Sequence, residues 1–139
     1  MNEEILEAWL KLNVAINHER IVSELPYNET LIYRYLYNHQ DQVVTATKLC
    51  EVTGMLKSQM NRTLTSMEEK QLIFRQRSKH DKRQIEVTIN KDHISIYETQ
   101  HERIIRIVDR LIERVGEDNA KTALMLFEMI AEIAKEELV

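Results

Sequence analysis

Glycine and proline are nearly missing from this chain. It has two Gly and one Pro in 139 residues, where average usage gives roughly 16 or 17. So few chain-breakers exclude a sandwich or barrel of many short strands and tight turns, and a Gly-rich phosphate loop with them. A single cysteine, Cys50, excludes an internal disulfide framework and fits a reducing cytoplasm. No apolar run approaches the ~20 residues that span a bilayer. The start, MNEEILEAWL, is acidic and amphipathic, unlike the basic n-region of a signal peptide, so no membrane partner is expected. What remains is 43% apolar and 30% charged, a mixture that builds a core and is not the signature of disorder. The length suits one domain.

The net charge of −4 argues by itself against a polyanionic partner, but it is unevenly spread. Residues 1–44 hold three basic and seven acidic groups, and residues 92–139 hold six and eleven. Between them, residues 45–85 hold nine basic and four acidic groups. A basic block between acidic flanks suggests a polyanion-binding face on a scaffold that does not share the task.

Helical periodicity dominates. Ile5, Trp9, Leu12 and Ile16 mark a helix over residues 2–22. Pro26 breaks the chain, and Asn28 is placed to cap a second helix over 28–38. Val43 and Val44 suggest a very short strand. Thr45 caps a short helix over about 46–52, which Gly54 ends. A longer helix over about 57–70 follows, with Met60, Leu64 and Met67 on one face and Lys57, Ser58, Gln59, Asn61 and Arg62 at an exposed start. Residues 72–77 and 84–89 read as a hairpin around the polar turn Ser78-Lys79-His80-Asp81-Lys82. Two more amphipathic helices, over 92–115 and 118–138, are separated by Gly116. The expected fold is mainly α with a small β-hairpin wing. It comprises a winged helix-turn-helix lobe (28–90) and a helical lobe (1–24 and 92–139) in one domain.

Short helix, Gly turn, longer helix with a basic polar start, then basic-tipped hairpin is the order of a winged helix-turn-helix. A helix fits the major groove of duplex DNA, and its first residues reach base edges. Lys57 and Arg62 suit phosphate or guanine, Gln59 and Asn61 suit adenine or phosphate, and Ser58 suits phosphate. Arg75, Arg77, Lys79, Lys82 and Arg83 extend the basic face along the hairpin, where an Arg suits a narrow minor groove.

The segment KLCEVTGMLKSQMNRTLTSMEEKQLIFRQRSKHDKRQIEVTIN resembles the DNA-binding lobe of the MarR family of bacterial transcriptional regulators. The likeness rests on the Gly54 turn, the helix ending Met67-Glu68-Glu69-Lys70, Leu72-Ile73-x-Arg75 and the Asp81-x-Arg83 wing pattern, and the helical layout on either side extends it. The resemblance implies a homodimer whose terminal helices interlock, a recognition helix in the major groove, Arg83 as the wing arginine and Asp81 as its orienting partner. Three positions depart from the family pattern. Gln71 stands where Gly is usual after the recognition helix, Leu56 where a Ser or Thr cap is usual, and Asn90 and Asp92 where a Thr and acidic-Gly pattern is usual. From these, the recognition helix is expected to end differently, its N-cap is in question, and Asn90 is expected to cap the next helix.

Two long amphipathic helices exceed what a lone winged helix needs. Their stripes, Ile5/Trp9/Leu12/Ile16 and Leu124/Phe127/Ala131/Leu138, call for a partner surface, either each other within one chain or, the favoured reading, a second copy. The reading is therefore a dimeric regulator that binds a pseudo-palindromic duplex, as a repressor relieved by an effector. The alternative is a helical dimeric interaction module whose basic block meets an acidic protein. The family's habit of sensing small aromatic ligands makes Trp9, His18, Tyr33, Tyr37, Tyr97 and His101 candidate pocket residues, against their being ordinary core and boundary residues. Cys50 reads as a buried structural thiol. The histidine spacing supports no zinc site, no cofactor is expected, and no catalytic arrangement is present.

Overall fold

The computed structural model describes residues 1–18 and 25–137, with the backbone alone at 16–18. Among the described residues, six helices and one hairpin follow in chain order. They are α1 (Asn2–His18), α2 (Tyr27–Asn38), α3 (Ala46–Thr53), α4 (Lys57–Glu69), β1 (Ile73–Arg77), β2 (Ile85–Ile89), a short 3-10 turn (Lys91–His93), α5 (Ile94–Val115) and α6 (Glu117–Glu137). The chain is mainly helical with an antiparallel hairpin wing, as the scarcity of glycine and proline demands. Residues 1–101 and 102–139 form two compact units, the boundary falling inside α5. Among the described residues no helix is long and apolar enough to cross a membrane.

The core lies in the first unit and is built by α2, α3, α4 and the hairpin, with Tyr97 of α5 joining it. Ile32, Tyr33 and Leu36 of α2, Leu49 of α3, and Met60, Leu64 and Met67 of α4 meet Leu72, Ile73 and Val87. The i, i+4, i+7 spacing on α4 puts its three apolar side chains on one stripe, so the other side of the helix stays outside. The hairpin pairs Ile73 with Ile89 and Arg77 with Ile85. Cys50 is half-buried against this core.

Several local expectations change. The first helix is seen to His18, and residues 19–22, which the sequence also assigns to it, lie outside the described residues. Asn28 is not the cap of α2; Pro26 occupies that position, with no side-chain cap bond. A proline fits a helix entrance because its fixed φ suits the start and its missing N–H costs nothing there. Val43 and Val44 form no strand. The Val44 carbonyl accepts the Val87 N–H at 2.8 Å, and Thr45 makes an isolated bridge to Glu86.

Thr45 does cap α3, its Oγ1 accepting the Lys48 N–H at 3.1 Å, and Gly54 ends that helix in the left-handed region at φ 75. The end of α4 corrects the expectation about Gln71. The helix closes with a left-handed residue although that residue is not glycine: Gln71 sits at φ 63. The Gln71 N–H reaches the Glu68 carbonyl at 3.0 Å, and the Leu72 N–H reaches the Met67 carbonyl at 2.9 Å, the paired bonds of a Schellman ending. Buried Asn90 holds it, its Nδ2 donating to the Gln71 carbonyl at 2.8 Å. The same side chain caps the 3-10 turn before α5, its Oδ1 accepting the Asp92 N–H at 3.1 Å.

Candidate nucleic-acid interface

The outward side of α4 carries Lys57, Ser58, Asn61 and Arg62, all exposed, whereas Gln59 is half-buried and so does not share that face. Gln59 and Arg62 border an open groove of about 440 Å³ against the entrance of α2 at Pro26 and Tyr27. Leu56 precedes α4 at the N-cap position, with no side-chain cap bond.

The nine basic groups of residues 45–85 separate into two sets. Lys48 pairs with Glu51 at 3.7 Å, Lys70 with Glu29 at 2.8 Å, and Arg75 with Glu68 at 3.2 Å. Lys57, Arg62, Arg77, Lys79, Lys82 and Arg83 are exposed and have no ion-pair partner among the described residues. These six lie on two elements, α4 and the hairpin, and form the uncompensated positive charge of the block.

Two of the paired cations, Lys70 and Arg75, fasten α4 to its neighbours. Glu29, in the first turn of α2, is buried, and its carboxylate takes two bonds from Lys70 Nζ at 2.8 and 3.0 Å and one from Ser66 Oγ at 3.4 Å. That group ties α2 to the end of α4. Glu68 accepts the Arg75 backbone N–H at 2.9 Å and its guanidinium at 3.2 Å, and the guanidinium also reaches Thr65 Oγ1 at 3.1 Å. The hydrogen bond from Arg75 holds the Glu68 carboxyl below its usual range. Arg75, placed by the sequence on the basic face, is therefore engaged inside the chain, where it fastens α4 to the first wing strand.

The wing tip is a turn built from Ser78 and Asp81. Buried Ser78 Oγ accepts the His80 and Asp81 N–H groups at 3.2 and 3.3 Å, and the Ser78 N–H closes the loop on the Gln84 carbonyl at 2.9 Å. Asp81 Oδ1 accepts the backbone N–H of Arg83 at 3.0 Å. The carboxylate thus sets the Arg83 backbone rather than gripping its guanidinium. Arg77 Nη1 donates to the Lys82 carbonyl at 3.4 Å.

Of the six candidate pocket residues, four come together. The Tyr97 ring lies 5.0 Å from Tyr33, 4.7 Å from Tyr37 and 5.9 Å from His101, centroid to centroid. Arg34 donates to Tyr97 Oη at 3.2 Å, and Tyr37 Oη donates to Glu98 at 3.4 Å. Tyr33 is buried, and its hydroxyl has no hydrogen-bond partner among the described residues. Burial first, and then the Glu98 charge, push its pKa up to about 12; the same two causes raise Tyr37. Trp9 is half-exposed on α1, outside these ring contacts, and the His18 side chain lies outside the described residues. Sequence reasoning missed Arg34 and Glu98, whose only signal is charge on helix faces that also carry tyrosines.

The stripes of the terminal helices face outward. Ile5, Trp9, Leu12, Leu124 and Phe127 are all exposed, as is Ala131. The Ile16 side chain and Leu138 lie outside the described residues. No group of His, Cys, Asp and Glu among the described residues has the arrangement of a metal site.

Residues 23–84 match the sequence profile of the MarR family. A comparison with curated protein sequences finds no match. Among solved structures, the chain resembles MepR, a transcription regulator of the Staphylococcus aureus multidrug efflux pump MepA. The two are 17% identical, with TM-score 0.68 and 94% of each chain covered. It resembles MepR in its DNA-binding conformation at 16% identity and TM-score 0.68, over 91% of this chain and 98% of that one. It also resembles the PcaV transcriptional regulator of Streptomyces coelicolor in complex with its natural ligand, at 15% identity and TM-score 0.73, over 93% and 91%. At these identities the likeness concerns the fold. Residues 23–84, which run from before α2 to the wing turn, thus match the MarR family profile, and the fold over more than nine-tenths of the chain resembles those of MepR and PcaV.

Proposed function

We propose that this chain is a sequence-specific duplex-DNA-binding regulator that acts as a homodimer and represses transcription until an effector releases it. The carrying observation is the set of six exposed cations on α4 and the hairpin that have no ion-pair partner among the described residues. Unpaired cations attract phosphate and release its counterions on binding. In this reading Lys57, Ser58, Asn61 and Arg62 work in the major groove, with Gln59 reaching phosphate from the groove beside α2. Arg77, Lys79 and Lys82 follow the backbone, and Arg83, set by Asp81, enters the minor groove. Arg75 contributes by holding α4 to the wing. Residues 28–90 are the reading lobe, and 1–24 with 92–139 are the dimerisation lobe.

The exposed apolar stripes of α1 and α6 support a second copy as partner, because water-exposed Trp, Phe and Leu in periodic rows favour burial. Two-fold pairing puts two recognition helices about one DNA turn, roughly 34 Å, apart. MepR has been seen bound to ethidium bromide and PcaV with its natural ligand, which supports an effector here. The cluster of Tyr33, Tyr37, Tyr97 and His101, with Trp9 and His18 as further candidates, is where it would act. Release requires an effector that binds the non-operator spacing more tightly than the operator spacing. Selection of bound duplexes from a random pool tests the reading. A pseudo-palindrome with half-sites one turn apart is expected, and a pool that never enriches sinks it.

A further inference from the structure

We infer that Leu56 determines specificity by reading the C5-methyl of a thymine in the major groove. The inference rests on the duplex-binding reading above and goes beyond it.

Leu56 breaks two local rules at once. It is an aliphatic residue 73% exposed to water, and it occupies a helix N-cap, where Ser, Thr, Asp and Asn are favoured because they accept an N–H of the first turn. The preceding helix shows the ordinary solution, with Thr45 Oγ1 accepting the Lys48 N–H. At α4 no side chain does so. Leu56 does not serve the packing either. Met55 before it and Met60 after it, at the two positions of a hydrophobic staple, are both buried in the core and fix the helix entrance. Gln59 stands three residues on, so a serine at 56 would complete a Ser-x-x-Gln capping box. The chain is one side chain away from the ordinary cap and carries a leucine instead. Local rules broken without structural gain mark functional positions.

The place of the leucine identifies its target. It leads α4 into the groove, beside exposed Lys57 and Ser58, and residues at a recognition helix N-terminus meet base edges. An aliphatic group gains nothing from phosphate. Of the four base pairs' major-groove edges, only those with thymine offer a methyl. Apolar contact with that methyl distinguishes thymine from cytosine and from uracil without any hydrogen bond.

The test uses the full chain and the duplex recovered from a random pool. Each thymine is replaced in turn by deoxyuridine, which deletes the methyl and leaves the pairing intact. Binding is followed by fluorescence anisotropy for the wild type, Leu56→Ser and Leu56→Ala. One thymine in each half-site is expected to lose about fourfold in affinity when its methyl is removed, the size of one buried methyl group. Both variants are expected to bind the thymine and uracil duplexes equally. Leu56→Ser is expected to unfold no more easily than the wild type, because it restores the cap. If no thymine distinguishes the two duplexes, or if Leu56→Ser keeps the same uracil sensitivity, the role of Leu56 is overturned while duplex binding stands. A pool that yields no bound duplex overturns the duplex-binding reading itself, and this inference with it.

Discussion

The segment from α2 to the first turns of α5 seals a core of apolar side chains, and α1 and α6 seal none among the described residues. Ile32, Leu49, Met60, Leu64, Met67 and Ile73 are sealed from water, whereas Trp9, Leu124 and Phe127 stand half or more exposed. All of these residues obey the same helical periodicity. The difference shows that periodicity says which face wants burial and not what buries it. From α2 to α5 the chain itself supplies the opposing surface, through three helices, a hairpin and Tyr97 of α5. In the terminal helices the proposed second copy supplies it.

The largest effect expected from this contrast is on the lobe with the core. Leu64→Ala leaves a cavity in the core and should cost about 3 kcal/mol by denaturant unfolding. A loss below about 1 kcal/mol would mean the lobe is packed more loosely than its burial indicates. The matching change on the exposed side, Leu124→Asp with Phe127→Asp, should leave helix content by circular dichroism unchanged and shift the sedimentation coefficient from dimer to monomer. An unaltered sedimentation coefficient would remove these residues from any interface.

Next in size are the unpaired cations. Arg62→Ala and Arg83→Ala should each weaken duplex binding by about 1–3 kcal/mol, with the unfolding midpoint unmoved, because neither has an ion-pair partner among the described residues. Equal affinity for both variants and the wild type would place the groove contacts elsewhere.

The smallest effect belongs to Tyr33. Its buried, unpartnered hydroxyl means that Tyr33→Phe should be neutral or stabilising by about 1 kcal/mol. The folded state holds the phenol protonated to about 12, whereas the unfolded chain releases the proton near pH 10. The contribution is therefore complete below pH 10 and is lost as pH rises through about 12. Unfolding titrations in alkali should show that loss for the wild type and less of it for Tyr33→Phe. Identical alkaline profiles would contradict it.

Much of the fold was legible in the sequence because its signals are local. The Met60, Leu64, Met67 spacing marks α4, the strict alternation of 84–89 marks the second wing strand, and Thr45 with Gly54 brackets α3. The placements that escaped depend on partners distant in sequence. Gln71 keeps the left-handed ending that glycine would give because Asn90, nineteen residues later, donates to its carbonyl. Arg75 looks like one more cation of the basic face until Glu68 and Thr65 are brought to it across the end of a helix. Asn28 is a good capping residue, but Pro26 reached the entrance first. At the candidate interface, the exposure of Lys57, Ser58, Asn61 and Arg62 followed from the apolar stripe opposite them. Gln59 did not follow it, because the entrance of α2 stands beside it.

The salt dependence of duplex affinity tests the central claim most directly. With Arg77, Lys79 and Lys82 on phosphate, log affinity should fall against log salt with a slope of about −3 or steeper for each engaged protomer. A slope near zero, with tighter binding to an acidic protein than to DNA, would contradict the account.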